Sequence, residues 1–309
     1  MKAISNAPHS AADQPLKAIF LMLTAIMLFT MVDGLSKYLT ADYAPIQVVW
    51  VRYLAMLIVL APLATRRRAE RPWRTRRLRF QAARGACVAL SALLFVSGLA
   101  HLPLAQATAT GYVTPLFVTA LSIVLLGEQV GVRRWSAVIV GFAGVLVIVR
   151  PGTAHFEIAA LYPIASSLAW ALNMILTRKM GFADPALTTL VYTALFGAAL
   201  TGGPALASWH PVSPLGWALL FVGGALNLLG QYFSVRAFMH GQVSMLAPFS
   251  YSSIVGATAI GVVVFGNFPD LWTWVGAAVV ISSGIYTWHR ERIRGRVRPV
   301  LPVPRPASP

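Results

Sequence analysis

Acidic residues are nearly missing from this chain: nine Asp and Glu stand against twenty-five Lys and Arg in 309 residues, and only 11% of positions are charged. A soluble domain of this size carries roughly a quarter charged residues, so a conventional water-facing surface is excluded. Cysteine is reduced to Cys87. A lone cysteine rules out an internal disulfide, and inside an apolar run it reads as a small packing residue. The sequence contains no H-E-x-x-H pair, no G-x-S-x-G turn and no Walker A loop. Those absences argue against a zinc hydrolase, a serine hydrolase and direct ATP drive. No cofactor and no metal are expected, and the chain is not expected to be an enzyme.

What is present is apolar, at 57% of positions. The apolar residues fall in runs of about 20, the length that crosses ~30 Å of hydrocarbon at 1.5 Å per residue. The runs are apolar on nearly all faces, as lipid contact requires. They predict ten helices over 17–38, 45–64, 81–100, 104–126, 135–150, 158–178, 186–207, 215–238, 243–265 and 272–288. The separators are short and rich in Pro, Gly or charge. The first fifteen residues are polar and lack a signal-peptide pattern, so the first run is expected to be a retained span.

The net charge of +16 does not point to nucleic acid, because of where it lies. It concentrates in Arg66–Arg79 and Arg290–Arg298, beside apolar spans, as topology signals and contacts for anionic lipid head groups do. Placing Arg66–Arg79 in the cytoplasm puts nearly all other Lys and Arg there too, with Lys37, Arg52 and Arg150 as exceptions. The expectation is a bacterial-type cytoplasmic (inner) membrane protein with both termini inside.

The two halves align at an offset of about 140 residues. Asp33 then falls on Asn173, Pro45 on Pro185, His101 on His240, Gly127 on Gly266 and Trp135 on Trp274. Each half has an odd number of spans, so the second copy runs in the opposite sense. The expected fold class is an all-α membrane protein, ten transmembrane helices arranged as two inverted five-helix repeats around a central cavity. Its parts are a cytoplasmic tail over 1–16, repeats over 17–150 and 158–289, and a basic, Pro-rich, disordered cytoplasmic tail over 290–309.

Several stretches resemble the drug/metabolite transporter superfamily, EamA type. In the first half these are Asp33-Gly-Leu-Ser-Lys37-Tyr38 with Arg52, Leu102-Pro-Leu-Ala-Gln-Ala-Thr, and Leu126-Gly-Glu-Gln-Val-Gly-Val-Arg-Arg-Trp135. In the second they are Pro248-Phe-Ser-Tyr251 and Phe265-Gly-Asn-Phe-Pro-Asp270. The resemblance implies a ten-helix transporter of amino acids, nucleosides, cofactors, drugs or siderophore-like metabolites. It implies alternating access and, by analogy, export of an amino acid or related compound. The alternatives are import of a cofactor-like metabolite of the S-adenosylmethionine or riboflavin class, or a non-transporting scaffold. Asn267 departs from the pattern, since the second copy often has Glu there.

Polar residues inside the apolar runs are the site candidates. Asp33 and Lys37 share a helix face. They either neutralise one another as an i, i+4 pair or meet substrate and, for Asp33, a proton. Gln106, Tyr112, Trp170, Asn173, Asn227, Gln231 and Tyr251 are candidate cavity residues, around spans that Pro115 and Pro248 are expected to bend. Arg52, Glu128 and Arg133 are candidates for structural charge pairing, Arg52 with Asp33, and Arg52 is alternatively a contact for an anionic group of the substrate. Ala137 and Gly141, four apart, suit close helix contact within or between chains and so admit a homodimer.

Overall fold

The computed structural model describes residues 15–66, 73–75, 77–127, 131–153, 156–180, 184–240 and 246–295. Glu128 lies outside them, as does the side chain of Arg133. Among the described residues the structure is entirely helical: α1 Pro15–Leu39, α2 Pro45–Arg66, α3 Leu78–His101, α4 Leu104–Gly111, α5 Thr114–Leu126, α6 Val132–Val149, α7 Leu161–Met180, α8 Ala186–Ala207, α9 Pro214–His240, α10 Ser252–Phe265 and α11 Leu271–Gly295. Short 3₁₀ turns at Ile158–Ala160 and Ala247–Tyr251 lead into α7 and α10. Among the described residues seven helical segments are long and apolar enough to cross a membrane, and three further apolar helices, Trp135–Val149, Phe249–Phe265 and Leu271–Tyr286, are shorter. In hydrocarbon a backbone must satisfy its own N–H and C=O groups, and the helix does so within one segment.

The breaks have local causes. The run over 104–126 is divided at Tyr112 and Val113, with Pro115 in the first turn of α5. A proline is tolerated there because its missing N–H needs no partner. Pro248 sits likewise at the start of the 3₁₀ turn before α10. Gly127 and Gly266, aligned by the internal offset, end α5 and α10 in left-handed conformations with φ of 68° and 64°. Glycine adopts that cap without a Cβ clash. At the other end of the chain, α11 continues through Arg290 to Gly295, so the basic stretch expected to be disordered starts as helix.

The helices pack in a pattern that survives exchange of the two halves. α1 lies along α9 and α3 along α7; α2 pairs with α8, and α6 with α11. At the crossing of α6 on α11 the two backbones meet closely. A Cβ on Gly144 would come within 2.9 Å of the Gly276 carbonyl oxygen, and one on Gly276 within 2.5 Å of the Gly144 oxygen. Small residues let backbones meet where hydrophobicity gives no drive between helices. A Cβ on Gly141 would lie 2.7 Å from Ser283 Oγ, so this face of α6 is used inside the chain.

Candidate substrate site

A cavity of about 500 Å³ lies among α1–α5 and α7–α9, bordered by residues of both halves. Five sequence candidates line it: Asp33 on α1, Trp170 and Asn173 on α7, and Asn227 and Gln231 on α9. Trp170 and Asn173 lie on one face of α7 because positions three apart do. Asn173 is 5% exposed, whereas Trp170 is 44% exposed, so the amide is fixed by its surroundings and the tryptophan is not.

Arg52 on α2 also lines the cavity. It was expected to pair with Asp33 or to contact an anionic substrate group; it attracts the Asp33 carboxylate, with no ion pair between them among the described residues. The only ion pair among them is Arg150–Asp270, at 2.5 Å. Arg52 is buried, its Nε has no hydrogen-bond partner, and its guanidinium carbon lies 6.0 Å from the centre of the Tyr53 ring.

Lys37 does not reach the cavity and does not pair with Asp33. Its Nζ donates to the carbonyl oxygens of Leu99 at 3.0 Å and Leu102 at 2.7 Å, and lies 5.5 Å from the Phe265 ring centre. The C-terminal end of α3 carries carbonyls without helical partners and a partial negative charge, which a cation satisfies. Lys37 thereby ties α1 to the α3–α4 corner.

Tyr112 and Tyr251 are likewise outside the lining. They stack on one another with ring centres 4.8 Å apart. The Tyr112 hydroxyl donates to the Ser250 carbonyl oxygen and shares a hydrogen bond with Ser253 Oγ at 2.8 Å. The pair joins the two broken runs where each is interrupted. Gln106 is half-buried on α4 and does not border the cavity.

Arg84 was missed from the sequence. It is 8% exposed on α3 and lines the cavity. Its Nη2 donates to the Thr189 carbonyl oxygen at 2.8 Å and to the Thr193 hydroxyl, its Nη1 lies 3.5 Å from Asn173 Oδ1, and its Nε lies 3.4 Å from Gln81 Oε1. Gln81 in turn donates to Asp184 Oδ2 at 2.9 Å, which the Thr75 hydroxyl also reaches at 2.5 Å. A polar chain thus runs from the cavity to the loop before α3. In the sequence Arg84 follows closely on the arginine-rich loop and merges with its charge, which hides it. Ser91 and Ser166, linked at 3.0 Å, were missed because single serines in apolar helices usually bond their own backbone. Among the described residues no three His, Cys, Asp or Glu gather as metal ligands would.

Long apolar helices around a cavity that carries charged and amide side chains are the geometry of a membrane protein that handles a solute. Comparison with known proteins agrees. The chain is 27% identical to the riboflavin transporter of Vibrio cholerae over 93% of its own length and 98% of that protein. It is 27% identical to the S-adenosylmethionine uptake transporter of Rickettsia prowazekii, covering 92% and 96%, and 28% identical to the pseudopaline exporter of Pseudomonas aeruginosa, covering 65% and 72%. A solved crystal structure matches with a TM-score of 0.63 at 19% identity, over 89% of this chain and 98% of the other, which speaks to the fold alone. The model of the EamA-like transporter family matches residues 16–150 and again 157–287. With nearly every described residue inside those two matches, the chain belongs to the EamA-like transporter family and is a multi-pass membrane transporter, not an enzyme.

Proposed function

We propose that this chain is a secondary transporter carrying a small polar or amphipathic metabolite across the cytoplasmic membrane by alternating access. The observation behind this reading is the cavity itself, in which Asp33, Arg52 and Arg84 sit beside Trp170, Asn173, Asn227 and Gln231. Ionisable side chains inside apolar spans are expensive, and in such proteins they mark solute or ion paths. The arrangement is ten spans in two inverted five-helix repeats, 17–150 and 158–289, with both termini cytoplasmic. Support comes from the double family match, the exchange-symmetric packing and the matched caps at Gly127 and Gly266. Arg66–Arg79 and the basic tail meet anionic head groups.

The first reading of direction is export of an amino acid or related compound. A second reading, uptake of a cofactor-like metabolite, is favoured by relatives that span over nine-tenths of this chain, one named for S-adenosylmethionine uptake and two for riboflavin transport. In either direction Asp33 is the proton-coupling group and a substrate contact.

The test is flux in proteoliposomes under an imposed pH gradient, over a panel of amino acids, nucleosides, flavins and S-adenosyl compounds. The wild type moves at least one solute, and its rate follows the gradient. Asp33→Asn inserts normally and loses the gradient dependence. Unchanged pH dependence in that variant removes Asp33 from coupling, and no flux of any solute removes the transport reading.

A further inference from the structure

Three charged side chains line the cavity, and they do not balance: Arg52 and Arg84 are two cations against the single carboxylate of Asp33. The two arginines differ in what they already hold. Arg84 is engaged on every nitrogen, by Gln81, Asn173, Thr193 and the Thr189 carbonyl oxygen, so it acts through its field. Arg52 is 9% exposed, its Nε is buried without a hydrogen-bond partner, and no described carboxylate forms an ion pair with it. The Asp33 carboxylate and the Tyr53 hydroxyl attract it, but with no ion pair formed a buried guanidinium is left incompletely satisfied, and here it borders an open space.

We propose that Arg52 is the residue that binds a carboxylate on the transported solute, and that the solute is an amphipathic organic acid. This rests on the transport reading of the cavity. The guanidinium fork matches a carboxylate with two parallel hydrogen bonds. While Asp33 is ionised, one negative charge cancels the one surplus positive charge of the lining, and a phosphate monoester, mostly doubly charged at neutral pH, overshoots it. The rest of the solute meets Phe29, Phe95 and Trp170, which line the same space. Those rings suit an apolar or aromatic body behind a polar end.

The experiment uses the purified full-length chain and reads thermal stabilisation by phenylacetate and L-phenylalanine, by their neutral or amine-only counterparts phenylacetamide and L-phenylalaninamide, and by phenyl phosphate. The acids raise the unfolding midpoint of the wild type and the amides do not. Arg52→Gln weakens apparent acid binding at least about tenfold, the scale of a lost charge-assisted hydrogen bond, and Arg52→Lys restores part of it. The acid–amide comparison needs only the wild type, so it stands even where Arg52→Gln folds poorly. Equal responses to acid and amide, a response to phenyl phosphate alone, undiminished acid binding in Arg52→Gln, or no response to any probe each overturn the proposal. Flux separates this from the broader reading. Acid binding through Arg52 with no solute crossing liposomes defeats transport and leaves the carboxylate site. Flux of neutral solutes that Arg52→Gln leaves unchanged does the reverse.

Discussion

At the scale of single residues, two candidates that look alike in sequence part company. Trp170 borders the cavity and Gln106 does not. Trp170→Ala should change the order of preference among transported solutes, while Gln106→Ala leaves it unchanged; competition assays in liposomes decide between them. A second residue-scale expectation concerns Asp270, in the loop before α11. Partial burial raises its pKa, but hydrogen bonds from the Thr273 hydroxyl and backbone N–H, together with the Arg150 guanidinium, outweigh that and hold it below the ordinary carboxylate value. A depressed folded-state pKa contributes stability above the unfolded value, and that contribution disappears as pH falls through the folded one. Asp270→Asn should therefore lower stability slightly at neutral pH, by about 0.2–1 kcal/mol as for exposed pairs, and the difference from wild type should vanish in strong acid. Thermal unfolding across pH measures both.

At the scale of elements, the α6–α11 crossing depends on backbone approach. A Cβ on Gly144 would sit 2.9 Å from both the Gly276 oxygen and Val280, and 3.1 Å from Val279. Backbone does not yield as a flexible side chain does. Gly144→Ala should therefore destabilise the folded protein by about 1–3 kcal/mol, the usual cost of overpacking. Gly131, where a Cβ would meet nothing within 4 Å, is the control, and Gly131→Ala should leave the unfolding midpoint nearly unchanged. The helices themselves were legible in the sequence, since among the described residues the apolar runs are helical apart from the breaks before α5 and α10. The division at Tyr112 and Val113 was only half legible. Pro115 signalled a bend, but the stacking of Tyr112 on Tyr251 across the two broken runs carries no local signal.

At the scale of the whole molecule, opposite threading of the halves makes a distinct claim about sides. A tag in the segment 208–214 should be reached by a membrane-impermeant reagent from outside, and a tag within Arg66–Arg79 only after the membrane is permeabilised. Equal accessibility of both would end the inverted arrangement.

Composition and order alone determined the solvent, because runs this apolar and this long have no soluble alternative, and they determined the helical class, because hydrocarbon accepts few other backbones. The offset between halves was also a matter of order. The company each polar side chain keeps was decided only by packing. Asp33 and Lys37 stand four apart on one helix, yet one faces the cavity and the other grips the Leu99 and Leu102 carbonyls. Arg84, lost in sequence beside a basic loop, lies in the cavity wall with Arg52. Those assignments join positions far apart along the chain, so no local pattern encodes them; they exist only once α3 has settled on α7 and α1 on α9.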